Sequence, residues 1–564
     1  MPATDPTTVA LTGQLPFILS TGAILSLPLS YLLLRLYRRA LLRGMNRRGK
    51  KPVEGGETSR AGRSEPTPLP AGEFKLTVLD ATSPTRTGEA GALFHRARSA
   101  PWRAGMIHGA GAVVFAAVMA FCFLRSSNTE ILPLRYLILF WVYTWPIVPT
   151  LALVAAPRRR TKILLAVAHG AVFVALGAAA LARSPESSIG QLAVLWLSTN
   201  LPPTLLLLVF LIRRVRAVGP LVVTFMVMAL TGSNLLLSVL DRHQALLRSV
   251  AEAGFALGLG GTGVFWGLSL IGFLFFAIPG WFALQWIRRR YRAKGMNDQS
   301  LILDALWLLF GITYSVGLVF EGAAWILSGL AAFGAYKATV LAGFRVGGGV
   351  DAPNRDARLL VLRVFSLGKR SEELFDAVTR HWRYLGDVRL ISGPDLAATT
   401  VEPHEFLDFL SGRLDRQFID GTEALEQRLK ELDTRPDFDG RFRVNDFFCH
   451  DDTWQMTLRR LVKASDVVLM DLRGFSPQNA GCAYELHELV GTAPLERVVI
   501  ATDATTDAGF MEQTLRNAWR AMPPDSPNRS AEARAQTVRL PSSADQGLFT
   551  LLGLLCTATE GTKA

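Results

Sequence analysis

The stretch SDVVLMDLRGFSPQNAGCAYEL, residues 465–486, decides how the C-terminal third of this chain folds. Val467, Val468, Leu469 and Met470 form a short β-rich run without a polar side, the pattern of a strand buried on both faces. The run ends in Asp471, and a loop containing Gly474 and Pro477 follows. Asn479 then stands at the start of a predicted helix, a good N-cap residue because its side chain can accept from free backbone amides. Glu485 falls inside that helix. In a doubly wound sheet, ligands bind where strand C-termini face helix N-termini. Asp471 and Asn479 belong at that rim, and Glu485 points back toward it from about the second helical turn.

Working outward, the same alternation continues. Strands are predicted at 358–365, 387–392, 441–448, 466–472, 496–502 and 536–540. Helices are predicted at 371–384, 403–416, 422–432, 453–464, 480–490, 508–519 and 544–554. Strands alternating with helices predict a mainly parallel sheet with helices on both faces, a three-layer α/β domain over 358–564. After the first of these strands, Ser366, Gly368, Lys369 and Arg370 form a short turn at a helix start. Backbone amides there suit phosphate, and the two cations add charge. A third element, FFCHDDTW at 447–454, places Asp451 on the same rim. His450 with Asp451 reads either as an acid/base pair or as a solvated loop in which Thr453 caps the next helix.

The stretch from Asp471 through Asn479 to Glu485-Leu486 resembles the superfamily of TIR-like and nucleoside 2-deoxyribosyltransferase-like domains. Its members share a strand ending in Asp, a loop, an Asn, then Glu-Leu on a helix. Cys482 shortly before the Glu matches the TIR branch. The resemblance implies a flavodoxin-like fold and a nucleotide ligand, with NAD or a nucleoside as substrate. It makes Glu485 the catalytic carboxylate at an N-glycosidic bond, with Asp471 and Asn479 positioning ribose or base. No other cofactor is called for.

Upstream the composition changes. The mean hydropathy of +0.27 is high for 564 residues, and the excess lies in long apolar runs before about residue 345. Such runs mark membrane spans. The first is Leu15 to Tyr37, and eight more are predicted at 104–125, 131–155, 162–183, 190–212, 218–240, 259–287, 301–320 and 322–344. The last two form a tight hairpin around Glu321. No Lys or Arg precedes the first run, whereas Arg38, Arg39, Arg43, Arg47 and Arg48 follow it, the order of a retained anchor with its N-terminus outside. Basic clusters at Arg158–Lys162, Arg213–Arg216 and Arg288–Lys294 fall in alternate loops. The positive-inside rule then predicts a cell-membrane protein with its C-terminal domain in the cytoplasm.

The predicted organisation is a membrane anchor over 1–39, a basic, disordered cytoplasmic linker over 40–103, a polytopic helical domain over 104–344, a Gly-rich hinge over 345–357 and the α/β domain. Residues 241–258 form an amphipathic segment suited to an interface. The net charge of +13 sits beside the apolar runs, so it reads as topology and not as a nucleic-acid surface. The four cysteines form no CxxC pair, which supports neither a disulfide framework nor a zinc site. The expected partners are the lipid bilayer and a nucleotide, with self-association left open and no metal.

Within the spans the ionisable residues singled out are His108, His169, Asp304 and Glu321, the last two near span ends. Asn200-Leu201-Pro202-Pro203 and Trp145-Pro146 with Pro149 interrupt two spans. Such breaks either free carbonyls to line a site or serve as packing kinks. Three functions follow: a membrane protein whose cytoplasmic domain cleaves an N-glycosidic bond as a signalling or defence effector, a non-catalytic membrane sensor, or a transporter with a regulatory domain.

Overall fold

The computed structural model describes residues 8, 10–47, 75–79, 88–128, 132–155, 159–183, 188–211, 215, 218–347, 357–364, 369–393, 401, 403–529, 534–541 and 547–560. The chain divides into two compact units. One comprises Met1–Leu36, Ala104–Gly347 and Val401–Leu407, and the other Tyr37–Arg103, Gly348–Thr400 and Asp408–Ala564.

The first unit is helical. Eight helices among the described residues are long and apolar enough to cross a membrane: Leu11–Met45, Gly88–Ser126, Arg159–Arg183, Ile189–Leu208, Gly219–Arg242, Gly261–Arg292, Asp298–Glu321 and Ala323–Val346. A ninth is complete if Pro133–Tyr143 and Ile147–Val154, bent by 41°, form one span. These helices are compatible with a multi-pass membrane region, and the bend falls at the predicted Trp145-Pro146 break. Proline supplies no N–H and clashes with the preceding turn, so a kink there is its ordinary consequence. The Pro202-Pro203 pair behaves otherwise: both lie inside the continuous helix Ile189–Leu211. There Thr204 Oγ1 donates back to the Asn200 carbonyl at 2.6 Å, one turn earlier. The two breaks meet, since Asn200 Nδ2 donates to the Val142 carbonyl at 3.3 Å beside the bend. Val142 is four residues before Pro146, so the carbonyl that this proline frees is taken up by a side chain of the neighbouring helix.

Helix packing in this unit uses small residues, as close approach in lipid favours. A Cβ on Gly232 would strike the Gly272 carbonyl, and one on Gly329 would strike that of Gly311. The second contact closes the predicted 301–344 hairpin. Lys337, absent from the expected intramembrane ionisable set, pairs with Asp304 at 2.6 Å.

The second unit is built on one parallel sheet. Its strands are β1 Lys75–Leu79, β2 Leu359–Arg363, β3 Val388–Ile391, β4 Phe418–Ile419, β5 Val444–Cys449, β6 Val467–Asp471, β7 Val498–Thr502 and β8 Arg534–Arg539, in the order β1-β8-β7-β6-β2-β3-β5-β4. Alternate side chains feed two cores. Leu360, Leu362 and Met470 pack with Leu486 and Leu515 on one face, and Leu359, Val361 and Leu469 with Leu374 and Leu555 on the other. The six predicted strands are all present, and β1 and β4 are additions. β1 lies in the expected linker 40–103, whose other described residues include the start of helix Gly88–Ser126. Ala90 and Ala97 of that helix enter the second core. The linker expectation is therefore corrected for these residues: a five-residue strand is too short to show a period among Pro, Gly and Ser.

The C-terminal end of helix Leu15–Met45, from Tyr37 on, also belongs to this unit. Gly44 lies so close to the Phe418 ring that a Cβ has no room. His450 Nδ1 is 2.7 Å from the Gly44 carbonyl, and the Asp451 amide donates to the Met45 carbonyl at 3.0 Å. These contacts satisfy carbonyls that a helix C-terminus leaves open.

Candidate functional site

The order of the strands locates the site. From β2 the chain runs to β3 and β5 on one side. β6 lies against the opposite side of β2 and leads on to β7. The winding reverses between β2 and β6, and a crevice opens outside their carboxyl ends at such a switch point. The two strands end together there, with Arg363 in register with Asp471.

Both residues line a narrow cleft together with Val361, Ser371, Phe375 and Leu469, and it has room for about one water molecule. Ser371 comes from the first turn of helix Lys369–Trp382 and is 1% exposed, and its Oγ has no hydrogen-bond partner. An unpaired buried hydroxyl costs about 1–3 kcal/mol, and a bound water or ligand is one way to satisfy it.

Asp471 is held by Arg473, whose Nε and Nη2 donate to its two oxygens at 2.8 and 2.7 Å. The same Nη2 donates to the Arg370 carbonyl at 3.0 Å, tying the β6 loop to the helix start. Burial works against the Arg473 charge, yet the bonds from Asp471 and the charges of Asp471, Asp503 and Glu373 outweigh it and raise its pKa. Arg370 pairs with Asp503 beyond the end of β7, and its Nη1 lies 3.5 Å from Thr505 Oγ1. Asp503 accepts from the Thr505 amide at 2.8 Å and its hydroxyl at 2.6 Å. Burial opposes its ionisation, but the Thr505 bonds and the arginines prevail and hold the carboxyl below its ordinary value.

Glu485 lies within helix Ala480–Thr492, 3% exposed, with Oε2 unpartnered. Burial pushes its carboxyl up to about 8, against the pull of Arg363 and of a hydrogen bond from Cys482. Cys482 Sγ also lies 3.4 Å from the Arg363 carbonyl. Burial, with Glu485 beside it, raises the thiol well above its ordinary value, so Cys482 is not a thiolate nucleophile.

The sequence-derived residues sort accordingly. Asp471 and Arg370 meet at the switch point. Glu485 adjoins Arg363 and Cys482, within the helix layer whose Cys482 and Leu486 join the first core, whereas Asp471 faces the cleft beside Leu469. Asn479 occupies the N-cap position but makes no cap bond, because its Oδ1 accepts from the Ser476 amide and hydroxyl at 2.9 and 3.0 Å. Its Oδ1 is thus engaged in a local turn. Asp451 follows β5, which lies beyond β3 from the switch point. Its side chain is exposed and His450 pairs with Asp420 at 2.8 Å, so of the two readings the acid/base pair is not formed and the loop is the one seen. Ser366 and Gly368 lie outside the described residues, as does the side chain of Lys369.

Arg363, Ser371, Arg473, Asp503 and Thr505 were not among the expected site residues. One signal was legible: Leu359-Leu360-Val361-Leu362 is an apolar strand that ends in a cation, as the strand at 467–471 ends in an anion. Among the described residues no cluster of His, Cys, Asp and Glu could hold a metal ion. Comparison with protein-family models, with curated proteins and with solved structures finds no match to this chain.

Proposed function

We propose that the protein is a multi-pass membrane signalling module whose flavodoxin-like, TIR-like α/β unit faces the cytoplasm and binds a nucleotide outside β2 and β6. The observation that carries this reading is Ser371: a buried hydroxyl without a partner, in a cleft shared with Arg363 and Asp471 at a switch point. The helix start supplies amides for phosphate and Arg370 a half-exposed cation, and in this reading Asp471 accepts from the ribose. The cytoplasmic orientation is supported by the alternation of basic loops.

A second reading rests on Glu485. A buried carboxyl raised by desolvation, beside a cation and with an open oxygen, is the kind of group that catalysis uses. In this reading it acts at the N-glycosidic bond of NAD or a nucleoside. The binding reading is preferred because Glu485 is enclosed in the core.

Calorimetry of the full chain in nanodiscs with ADP, NAD and adenosine tests the first reading. Binding that is lost in Ser371→Leu supports it, and no heat with any of the three overturns it. Chromatography of the same NAD incubation tests the second. Nicotinamide release lost in Glu485→Gln establishes catalysis, and no release leaves the binding module.

A further inference from the structure

The cleft at the switch point is narrow, and Arg370, the half-exposed cation next to Ser371 at the helix start beside it, is already occupied. Arg370 has a side chain 42% exposed, while its partner Asp503 is only 4% exposed. The carboxylate therefore reaches the guanidinium from the protein side, where a ligand phosphate would reach it from solvent. Arg473 is different. It is 5% exposed and committed to both oxygens of Asp471 and to the Arg370 carbonyl, so it is a fixed strut.

Arg370 is one of several partners of Asp503. Asp503 Oδ1 accepts from the Thr505 amide and hydroxyl, and its own amide donates to Thr506 Oγ1 at 3.0 Å. Thr506 Oγ1 in turn donates to the Leu472 carbonyl at 3.0 Å, just past the end of β6. Releasing Arg370 thus leaves Asp503 hydrogen-bonded, and the turn that carries it is wired to the strand end that carries Asp471.

We propose that Asp503 is a resident stand-in for a ligand phosphate: the ligand binds by exchanging its phosphate for the Asp503 carboxylate on Arg370. This rests on the nucleotide-binding reading and adds its regulation. A phosphate carries more charge than a carboxylate and matches the planar guanidinium with two oxygens. It nevertheless has to displace Asp503 and then sit beside a like charge. Apparent affinity is lowered by the fraction of time Arg370 is free of Asp503, and the turn at 503–507 loosens when the ligand is in place. The site is thereby kept shut to weak or singly charged anions, and occupancy is reported at the end of β7.

The sign of one substitution tests this. Asp503→Asn keeps an acceptor for Thr505 but removes the charge. Calorimetry of the full chain in nanodiscs, with inorganic pyrophosphate and ADP as probes, is expected to show about tenfold tighter binding in Asp503→Asn. Arg370→Gln is expected to weaken binding by a similar factor in both backgrounds. ADP binding more tightly than pyrophosphate assigns the phosphate to a nucleotide, and the reverse order assigns it to a free polyphosphate. Should Asp503→Asn fail to fold, hydrogen exchange of the wild-type amides at 503–507 serves instead, and it rises when pyrophosphate is added. Equal or weaker binding in Asp503→Asn, indifference to Arg370→Gln, or unchanged exchange overturns the exchange mechanism while the site stands. Failure of both probes to bind any of these proteins overturns the site reading itself.

Discussion

Tyr314 reaches Asn200 between two helices of the membrane unit through a neutral hydrogen bond of 2.6 Å, whereas Arg473 reaches Asp471 at the sheet rim through a charged fork. Each is typical of its unit. The membrane unit joins helices by single neutral tethers: Tyr336 to His108 at 2.8 Å, Thr144 to His169 at 3.2 Å, Trp145 to Thr204 at 2.9 Å. The α/β unit uses Arg–Asp pairs, and they stand at strand ends. Arg358–Asp466 and Arg389–Asp387 flank the starts of β2, β6 and β3, and Arg473–Asp471 closes β6. The difference follows from the solvent. Water near the rims relieves part of the cost of burying an ion, and in hydrocarbon no such relief exists. Asp304–Lys337 is the informative departure, a pair set between two apolar helices.

Three measurements sharpen or break this contrast. The largest effect is expected from orphaning one ion of the intramembrane pair. Lys337→Met alone leaves Asp304 without its cation and is expected to cost roughly 3–5 kcal/mol, while Lys337→Met with Asp304→Leu recovers most of it. Thermal unfolding in nanodiscs decides the matter. A single variant as stable as the double would mean that the pair is solvated and the contrast is overstated.

Glu485→Gln comes next, and its effect depends on pH. The folded carboxyl stays protonated up to about 8, whereas its ordinary value is 4.5. The folded state therefore holds the proton more tightly. That contribution is whole below pH 4.5 and is lost as the pH climbs toward 8. Glutamine never ionises, so the variant is expected to match the wild type in acid and exceed it above pH 8 by up to about 5 kcal/mol. Denaturant midpoints at pH 5 and pH 9 check it. Identical pH profiles would show that Glu485 ionises freely and is not enclosed.

The smallest effect is expected for a neutral tether. Tyr314→Phe removes the bond to Asn200 and is expected to cost about 0.6 kcal/mol, and at most about 1.7. A loss as large as that of the single Lys337 variant would erase the distinction between the two kinds of tether.

Long features were legible in the sequence and short ones were not. Val467–Met470 and Val498–Ile500 announce buried parallel strands because nothing polar interrupts them. β4 has two residues and β1 five, too few for a period. Asp471 was legible as a rim residue because the strand before it is so apolar. Its lock, Arg473, was not, since a cation two residues away reads equally well as solvated. Asn479 misled for a related reason. Asn caps helices and folds back on its own turn with equal ease, and only the geometry at Ser476 chooses. Lys337 escaped notice because one cation hardly dents an apolar span, and its partner lies 33 residues earlier on another helix.

β1 has a consequence for how the chain is made. Leu79 and its neighbours pair with β8 in parallel, and roughly 450 residues separate the two strands. At a synthesis rate of about 5–20 residues per second, β1 leaves the ribosome some 20–90 seconds before its partner exists. During that interval the intervening helices must be inserted while one strand waits with both edges bare. An unpaired edge is a template for the wrong neighbour. The outermost strand of this sheet is thus the first to be made and the last to find its place, and assembly of the α/β unit becomes a late checkpoint on the whole chain.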